Sequence, residues 1–429
     1  MEKKSINIGI IGFGNIGSSV ARNLRKNSSI IAERVGVPVR IKLVVDKKPK
    51  ALSKAKSLGL KVSRNAGDVI RNSEIDIAVE SIGGENPARK IILQAIGQHK
   101  SVVTSNKEVI AKHLRTILES AKRNNVSVLF EAAVGGGTPI IGPLRDDLGG
   151  NKITLLYGIV NSTTNYILSR MTESGMEFKE ALSEAVRNGF AEPNPRMDIE
   201  GYDSAYKSAI LASVAFGADV KIEDVYVEGI SKISQEDIKY ANDIGYVIKL
   251  VAVAKLIKKE LEVRVHPMLI PFSHRLASMS GPINAIFVKG LPVGEVLFSA
   301  QGAGGDATSS AVIGDIINAA KRIVTGDGPV SFRLPKKIRL RKMDDIKSRY
   351  YIRLKAPDRF GVLASISKIF ANEKVSIQAV VQKETIGNVA TIVILIHSVR
   401  EKNLMRAIMK IKKLPVVKEV CNVIRATSG

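Results

Sequence analysis

The sequence predicts an α/β protein in three parts: a Rossmann-like doubly wound parallel sheet, an α+β catalytic and dimerisation domain, and a C-terminal ferredoxin-like domain. Three observations lead there. Residues 6–11 (Ile-Asn-Ile-Gly-Ile-Ile) form an apolar run that passes at once into Gly12-Phe13-Gly14-Asn15-Ile16-Gly17 and then a helical pattern. Short apolar runs then alternate with amphipathic segments up to residue 130, the pattern of parallel strands covered by helices on both faces. Residues 350–429 read β-α-β-β-α-β in order, the ferredoxin-like arrangement.

The elements follow one another as expected strands at 6–11, 40–45, 75–79, 101–104 and 127–130, with helices at 18–24, 51–58, 88–98 and 108–124 between them. At Gly135-Gly136-Gly137-Thr138-Pro139 the composition changes, and helices rich in Ala and Ser and short strands follow. A second glycine cluster, Gly302-Ala303-Gly304-Gly305-Asp306, precedes an expected helix at 307–320. The expected divisions are 1–134 with about 305–325 for the dinucleotide, 135–304 for catalysis, a basic linker at 326–349, and 350–429. In the last part strands are expected at 351–355, 376–383, 388–397 and 416–423, and helices at 362–372 and 402–411.

Of the 429 residues 45% are apolar and 25% charged, which is neither disordered nor disulfide-stapled composition. The single cysteine, Cys421, can form neither an intramolecular disulfide nor a thiolate metal cage, and points to a reducing, cytoplasmic setting. No apolar run reaches the ~18 residues that would cross a bilayer, so no membrane partner is expected. The net charge of +24 is uneven: 24 Lys and Arg face 11 Asp and Glu over 1–134, 27 face 25 over 135–349, and 14 face 5 over 350–429. Aromatic residues are 5%, with no Trp, and no nucleic-acid-binding motif is present, so this charge reads as a solvated surface that attracts anionic ligands rather than nucleic acid.

Gly12-x-Gly14-x-x-Gly17 is the pattern in which the first glycine makes a tight turn, the second lets the backbone approach a pyrophosphate, and the third lets helix and strand pack closely. The helix that starts there offers N–H groups and a partial positive charge to the phosphates. Asp46 ends the second strand, where an acid would bond the adenosine ribose, yet it lies 29 positions after Gly17, farther than the usual ~20. Lys47, Lys48 and Lys50 follow, and a lysine there suits a 2′-phosphate, so NAD and NADP both stay open. A bound dinucleotide implies hydride transfer. A thiohemiacetal route needs a nucleophilic cysteine near the nucleotide fold, and Cys421 is far from it in sequence. The five histidines show no zinc spacing. Carbonyl–alcohol interconversion with a protein acid or base remains. Asp203 and Lys207 are four apart at the start of a helix that is otherwise apolar nearly all round, so they share one face of a buried element.

The run Tyr157-Gly158-Ile159-Val160-Asn161-Ser162-Thr163-Thr164-Asn165-Tyr166-Ile167-Leu168, the segment from Gly189 to Lys207, Ser105-Asn106-Lys107-Glu108, Glu131-Ala132-Ala133-Val134-Gly135-Gly136-Gly137 and Asn284-Ala285-Ile286 together resemble the homoserine dehydrogenases, over residues 6 to about 325. Pro357-Asp358-Arg359-Phe360-Gly361-Val362-Leu363 resembles an ACT domain, as in the long form of that family. Ser162 stands where the family has glycine, and the loop 301–307 lacks the family's proline. The resemblance implies NAD(P)-dependent interconversion of aspartate 4-semialdehyde and homoserine in threonine and methionine biosynthesis. It implies Lys207 as the general acid and Lys107 as a holder of the substrate carboxylate or a sharer of the proton transfer. Glu192 and Asp203 would bind the substrate ammonium, with Asp198 supporting their loop. Gly12 to Gly17, Asp46, Lys47, Lys48, Ser105 and Gly304 would line the cofactor. It further implies a sodium ion at Glu131 and the carbonyls of Val134, Gly136 and Thr138. In the ACT domain it implies an effector, threonine, at Asp358, Gly361, Val362, Leu363, Ser376 and Ile377, and a homodimer or homotetramer. Removal of 344–429 is expected to leave activity and abolish threonine inhibition. Two other readings stay open: a related reductase of another small amino-acid aldehyde or oxo acid, and a non-catalytic amino-acid sensor.

Overall fold

The computed structural model describes residues 3–332, 334 and 338–427. The chain divides into two compact units, each drawn from separate stretches of sequence: Met1–Ile153, Tyr206–Glu223 and Asn284–Lys337 in the first, Thr154–Ala205, Asp224–Ile283 and Ile338–Gly429 in the second.

The first unit is built on a six-stranded parallel sheet. Its strands stand in the spatial order Val62–Ser63, Val39–Val45, Ile6–Ile11, Ile77–Glu80, Ser101–Thr104, Val128–Leu129. That is the doubly wound order, with its reversal beside the first strand, where such sheets bind their ligands. A helix absent from the expected set, Ser28–Val35, follows the first helix Asn15–Lys26 and accounts for the long interval from Gly17 to Asp46. The late helix Gly305–Thr325 packs on the helix Asn15–Lys26: Asn23 Nδ2 donates to Ser309 Oγ at 2.7 Å, and Ile316, Ala319 and Ala320 join Ile8, Ile10, Val20 and Leu24 in one core.

In the second unit the strand order is Lys152–Ile159, Tyr246–Ile257, Glu260–Pro271, Glu419–Ala426, Lys347–Pro357, Val389–Arg400, Ile377–Ile386. The C-terminal β-α-β-β-α-β module carries its own core, including Ile352, Leu354, Ile366, Phe370, Ile394 and Leu404. It does not stand apart. Its last strand pairs in parallel with Glu260–Pro271, Met268 opposite Arg425 and Leu269 opposite Ala426, so one sheet runs through both modules. Part of the stretch expected to be a linker is strand: Arg339 and Leu340 pair with Glu260 and Leu261.

Buried charge ties the two modules. Asp237, wholly buried near the start of the helix Gln235–Asp243, receives Arg353 Nε at 2.6 Å and Asn422 Nδ2 at 2.9 Å. Burial pushes the Asp237 carboxyl up, but the Arg353 hydrogen bond and charge more than offset this and hold it below its ordinary value. Arg425 likewise reaches Glu228 at 2.7 Å and Glu401 at 3.1 Å. Among the described residues no helix is long and apolar enough to cross a membrane.

Candidate active site

The glycine turn follows from sterics. Gly12 has φ +97°, a conformation L side chains avoid, and a Cβ there would lie 2.7 Å from the Ser81 backbone. A Cβ on Gly17 would lie 2.1 Å from the Gly12 carbonyl oxygen, so only glycine lets the helix leave so close to the strand. Gly14 caps the helix Asn15–Lys26 and puts Asn15, Ile16 and Gly17 in its first turn. Gly12, Gly14, Asp46, Lys47, Lys48 and Arg64 line a cavity of about 310 Å³ at the carboxyl ends of the strands.

Asp46 does not reach into this cavity as a free carboxylate. One oxygen accepts the Phe13 N–H at 2.6 Å and the other the Lys48 N–H at 2.8 Å. Arg64 was not among the residues singled out from sequence. It stands one residue after the two-residue strand Val62–Ser63, and only the sheet order brings it beside Lys47 and Lys48.

Lys107 opens the helix Lys107–Arg123, and a chain of buried hydrogen bonds fixes that opening. Glu80 accepts from Thr104 Oγ1 at 2.5 Å and from the Ile82 N–H at 2.7 Å. Thr104 Oγ1 in turn accepts the Asn106 N–H at 3.0 Å. Asn106 then caps the helix, taking the Val109 N–H at 3.1 Å and donating to the Gly84 carbonyl at 2.7 Å. Burial raises the Glu80 carboxyl above its ordinary value. Ser105, next to Asn106, donates its N–H to the Glu80 carbonyl at 3.4 Å. In the same unit, Lys112 lies 5.9 Å from the centre of the Tyr206 ring, which brings the Lys107 helix alongside the residue before Lys207.

In the second unit Asn161 holds two of the expected substrate acids together. Its Nδ2 donates to Asp198 at 2.7 Å and to Asp203 at 2.8 Å, while its Oδ1 accepts the Thr164 N–H at 2.8 Å and caps the helix Ser162–Ser174. Asp203 is buried in the opening turn of the helix Tyr202–Phe216; Lys207, four residues on along the same helix, belongs to the first unit. Thr163 Oγ1 donates to the Phe190 carbonyl at 2.6 Å and so anchors the loop that bears Glu192. Glu192 itself is exposed, with no ion pair among the described residues. Asn161 lies in the Tyr157–Leu168 run, where an Asn directly before Ser-Thr-Thr is a helix-cap signal, though the motif alone does not mark it as the partner of two acids.

Around the glycine loop, Glu131 accepts the N–H groups of Ile141 at 2.8 Å and Gly142 at 2.7 Å, besides that of Ile140. Its own N–H goes to Asp315 at 2.8 Å. Burial, with Glu131 nearby, pushes the Asp315 carboxyl up to about 8. Among the described residues the buried Thr138 Oγ1 has no hydrogen-bond partner. Gly136 has φ +63°, and a Cβ there would lie 2.3 Å from the Gly302 carbonyl, so the two glycine clusters are pressed together. Among the described residues no three His, Cys, Asp or Glu side chains form a metal cluster. Gly304, φ +121°, caps the helix Gly305–Thr325 without lining the nucleotide cavity.

In the C-terminal module Asp358, Phe360, Gly361, Val362, Leu363 and Gln382 line a cavity of about 560 Å³. Gly361, φ +83°, caps the helix Val362–Asn372. Ser376 and Ile377 do not line this cavity, whose far wall is Gln382, Ala390 and Ile392 on the paired strands.

A family model for the homoserine dehydrogenase NAD-binding domain matches residues 12–131, one for homoserine dehydrogenase matches 139–317, and one for the ACT domain matches 350–416. The homoserine dehydrogenase of Helicobacter pylori is 40% identical over 424 residues, covering 99% of each chain. This chain belongs to the homoserine dehydrogenase family. The crystal structure of a homoserine dehydrogenase from Thiobacillus denitrificans is 40% identical over 99% of both chains, with a TM-score of 0.94. A hyperthermophilic archaeal homoserine dehydrogenase, solved in complex with NADPH, matches 73% of this chain and 97% of its own at 29% identity and a TM-score of 0.63. The chain is thus an oxidoreductase of the long homoserine dehydrogenase type, with a nicotinamide-dinucleotide-binding domain and an ACT domain.

Proposed function

We propose that the enzyme interconverts L-aspartate 4-semialdehyde and L-homoserine, within threonine and methionine biosynthesis, and uses NADP(H) in preference to NAD(H). The observation that carries the cofactor reading is the state of Asp46. Its two oxygens already accept the Phe13 and Lys48 N–H groups, which competes with their bonding the ribose hydroxyls of NAD, while three cations, Lys47, Lys48 and Arg64, line the same cavity and outweigh the single negative charge of Asp46. Gly12, Gly14 and the N–H groups of the Asn15–Lys26 helix hold the pyrophosphate.

The bound nicotinamide supplies the hydride. Lys207 donates the proton to the carbonyl oxygen in reduction and recovers it in the reverse direction. Lys107, fixed through Asn106, holds the substrate carboxylate. Glu192 and Asp203 bind the substrate ammonium, and Asn161 keeps Asp203 and Asp198 aligned. The buried Thr138 hydroxyl beside the Glu131 loop, without a partner among the described residues, supports a sodium ion held by Glu131 and the carbonyls of Val134, Gly136 and Thr138, where it would stiffen the loop.

Threonine is the proposed effector of the C-terminal cavity, its carboxylate at the N–H groups that open the helix Val362–Asn372 and its ammonium at Asp358. Phe360, fully exposed at the mouth, and exposed Leu363 favour a homodimer or homotetramer that covers them. The cytoplasm, with free NADPH, is the matching compartment. The test is spectrophotometric oxidation of NADPH and NADH with aspartate semialdehyde, with and without threonine. Turnover with NADPH, slowed by threonine, is expected; absence of turnover with this aldehyde would overturn the assignment.

A further inference from the structure

A separate cavity of about 320 Å³ lies in the second unit, where the hairpin 246–271 meets the C-terminal strands. Cross-strand pairing fixes its floor. Tyr157 stands opposite Val253, Val253 opposite Arg264, and Lys255 opposite Glu262, so Tyr157, Lys255, Arg264 and His266 project from one face of the sheet. Arg341, Lys347, Ser348, Ser398, Arg425 and Thr427 form the sides. The strands Glu260–Pro271 and Glu419–Ala426 pair through only two residues each, and the cavity sits beside that short contact.

Among the described residues five cations and no Asp or Glu side chain line this cavity. Three of them pair with acids outside the lining: Arg264 with Glu262 at 2.6 Å, Arg341 with Glu262 at 3.2 Å and Glu260 at 3.3 Å, and Arg425 with Glu228 at 2.7 Å and Glu401 at 3.1 Å. The side chains of Lys255 and Lys347 make no ion pair or hydrogen bond among the described residues. Burial, with Arg425 and Arg264 adjacent, pushes the His266 imidazole well below its ordinary value. The neutral ring donates from Nδ1 to the Pro267 carbonyl at 2.8 Å and accepts Arg264 Nε at 3.1 Å, which aims the guanidinium. A seam that served only packing would bring apolar groups together, since each buried cation costs desolvation free energy.

We propose that this cavity is a binding site for a small phosphorylated metabolite. A phosphoryl monoester carries roughly −1.5 to −2 charges at neutral pH, which the ammonium groups of Lys255 and Lys347 can meet. The guanidinium forks of Arg264 and Arg425 suit its oxygens, as do the hydroxyls of Ser348 and Ser398. Bound there, the ligand ties Lys255 of the hairpin to Lys347 and Ser398 of the ACT module. The site is independent of the catalytic reading.

The test uses the full-length protein saturated with NADPH, so that the nucleotide cavity is already filled. Inorganic phosphate and pyrophosphate are titrated by calorimetry and by thermal denaturation, against sodium chloride at equal ionic strength and against citrate. Saturable binding and stabilisation by the phosphates are expected. Lys255→Gln with Lys347→Gln should weaken them about tenfold or more, through loss of two charge-assisted contacts. Lys255→Arg with Lys347→Arg should retain binding, and NADPH affinity should hold in both variants as the check on folding. Stabilisation matched by chloride, stabilisation by citrate alone, or phosphate affinity unchanged in the Gln variant would each overturn the proposal.

Discussion

Lys207 is the residue on which the chemistry turns. Lys207→Met removes the proton donor without touching the glycine turn, so kcat should fall by ~10²-fold or more while NADPH binding holds; near-parental kcat would assign the proton to another group. Glu192→Gln should raise KM for the amino-acid substrate more than it lowers kcat, and an unchanged KM would leave Glu192 as part of its loop only. Asp315 offers a different kind of test. Its carboxyl is pushed up to about 8 in the folded chain against an ordinary 3.8. Between those values the folded state holds a proton that the unfolded state has lost, so Asp315 draws stability down as pH rises through that window. Asp315→Asn keeps an acceptor for the Glu131 N–H and cannot ionise. Its melting temperature should gain on the parent steadily from pH 5 to pH 8.5, and a gain independent of pH would mean that Asp315 is ionised in the folded chain.

At the scale of elements, the strand–glycine–helix opening was legible because each glycine answers a local steric demand, and the Asp203–Lys207 spacing because four residues are one helical turn. What stayed hidden depended on partners distant in sequence. The helix Ser28–Val35 is short and only two of its residues, Ile31 and Val35, are buried, so it carries little periodic signal. Arg339 and Leu340 read as linker because two residues become a strand only when Glu260 and Leu261 stand beside them. Arg64 is invisible as a cofactor residue until the sheet order sets it next to Lys48. That neighbourhood gives a prediction: Lys47→Gln with Lys48→Gln should weaken NADPH by about tenfold or more relative to NADH, and Arg64→Gln should add to it. Equal loss for both cofactors would mean that these cations act through a general field. Arg353→Met tests the tie between the helix Gln235–Asp243 and the ACT strands. It strips Asp237 of its cation and should cost ~3–5 kcal/mol by chemical denaturation, whereas a loss below about 1 kcal/mol would put this pair among solvated ones.

For the molecule as a whole, the expectation that residues 344–429 form a removable appendage needs revision. Their removal leaves Asp237 buried without Arg353 or Asn422, deprives Glu228 of Arg425 and uncovers an edge of Glu260–Pro271. A chain ending at 343 should therefore express poorly or melt well below the parent, and a stable, fully active truncation would show that the shared sheet contributes little. Point substitutions in the C-terminal cavity, such as Asp358→Asn, are the cleaner probe of threonine response. The parallel pairing of Met268 with Arg425 also bears on how the protein comes to be made. A ribosome emits the strand Glu260–Pro271 first, and its partner appears 157 positions later. Until then the strand has its hairpin mate Tyr246–Ile257 on one side and Tyr226–Val227 beside Arg264 and Val265 on the other, but its edge at Met268 and Leu269 stays open, and Asp237 waits without its cation. The middle module is thus synthesised before it can be completed, and the nascent chain carries an unpaired strand edge, the kind of surface that chaperones shield, for the whole time the ACT module is being translated.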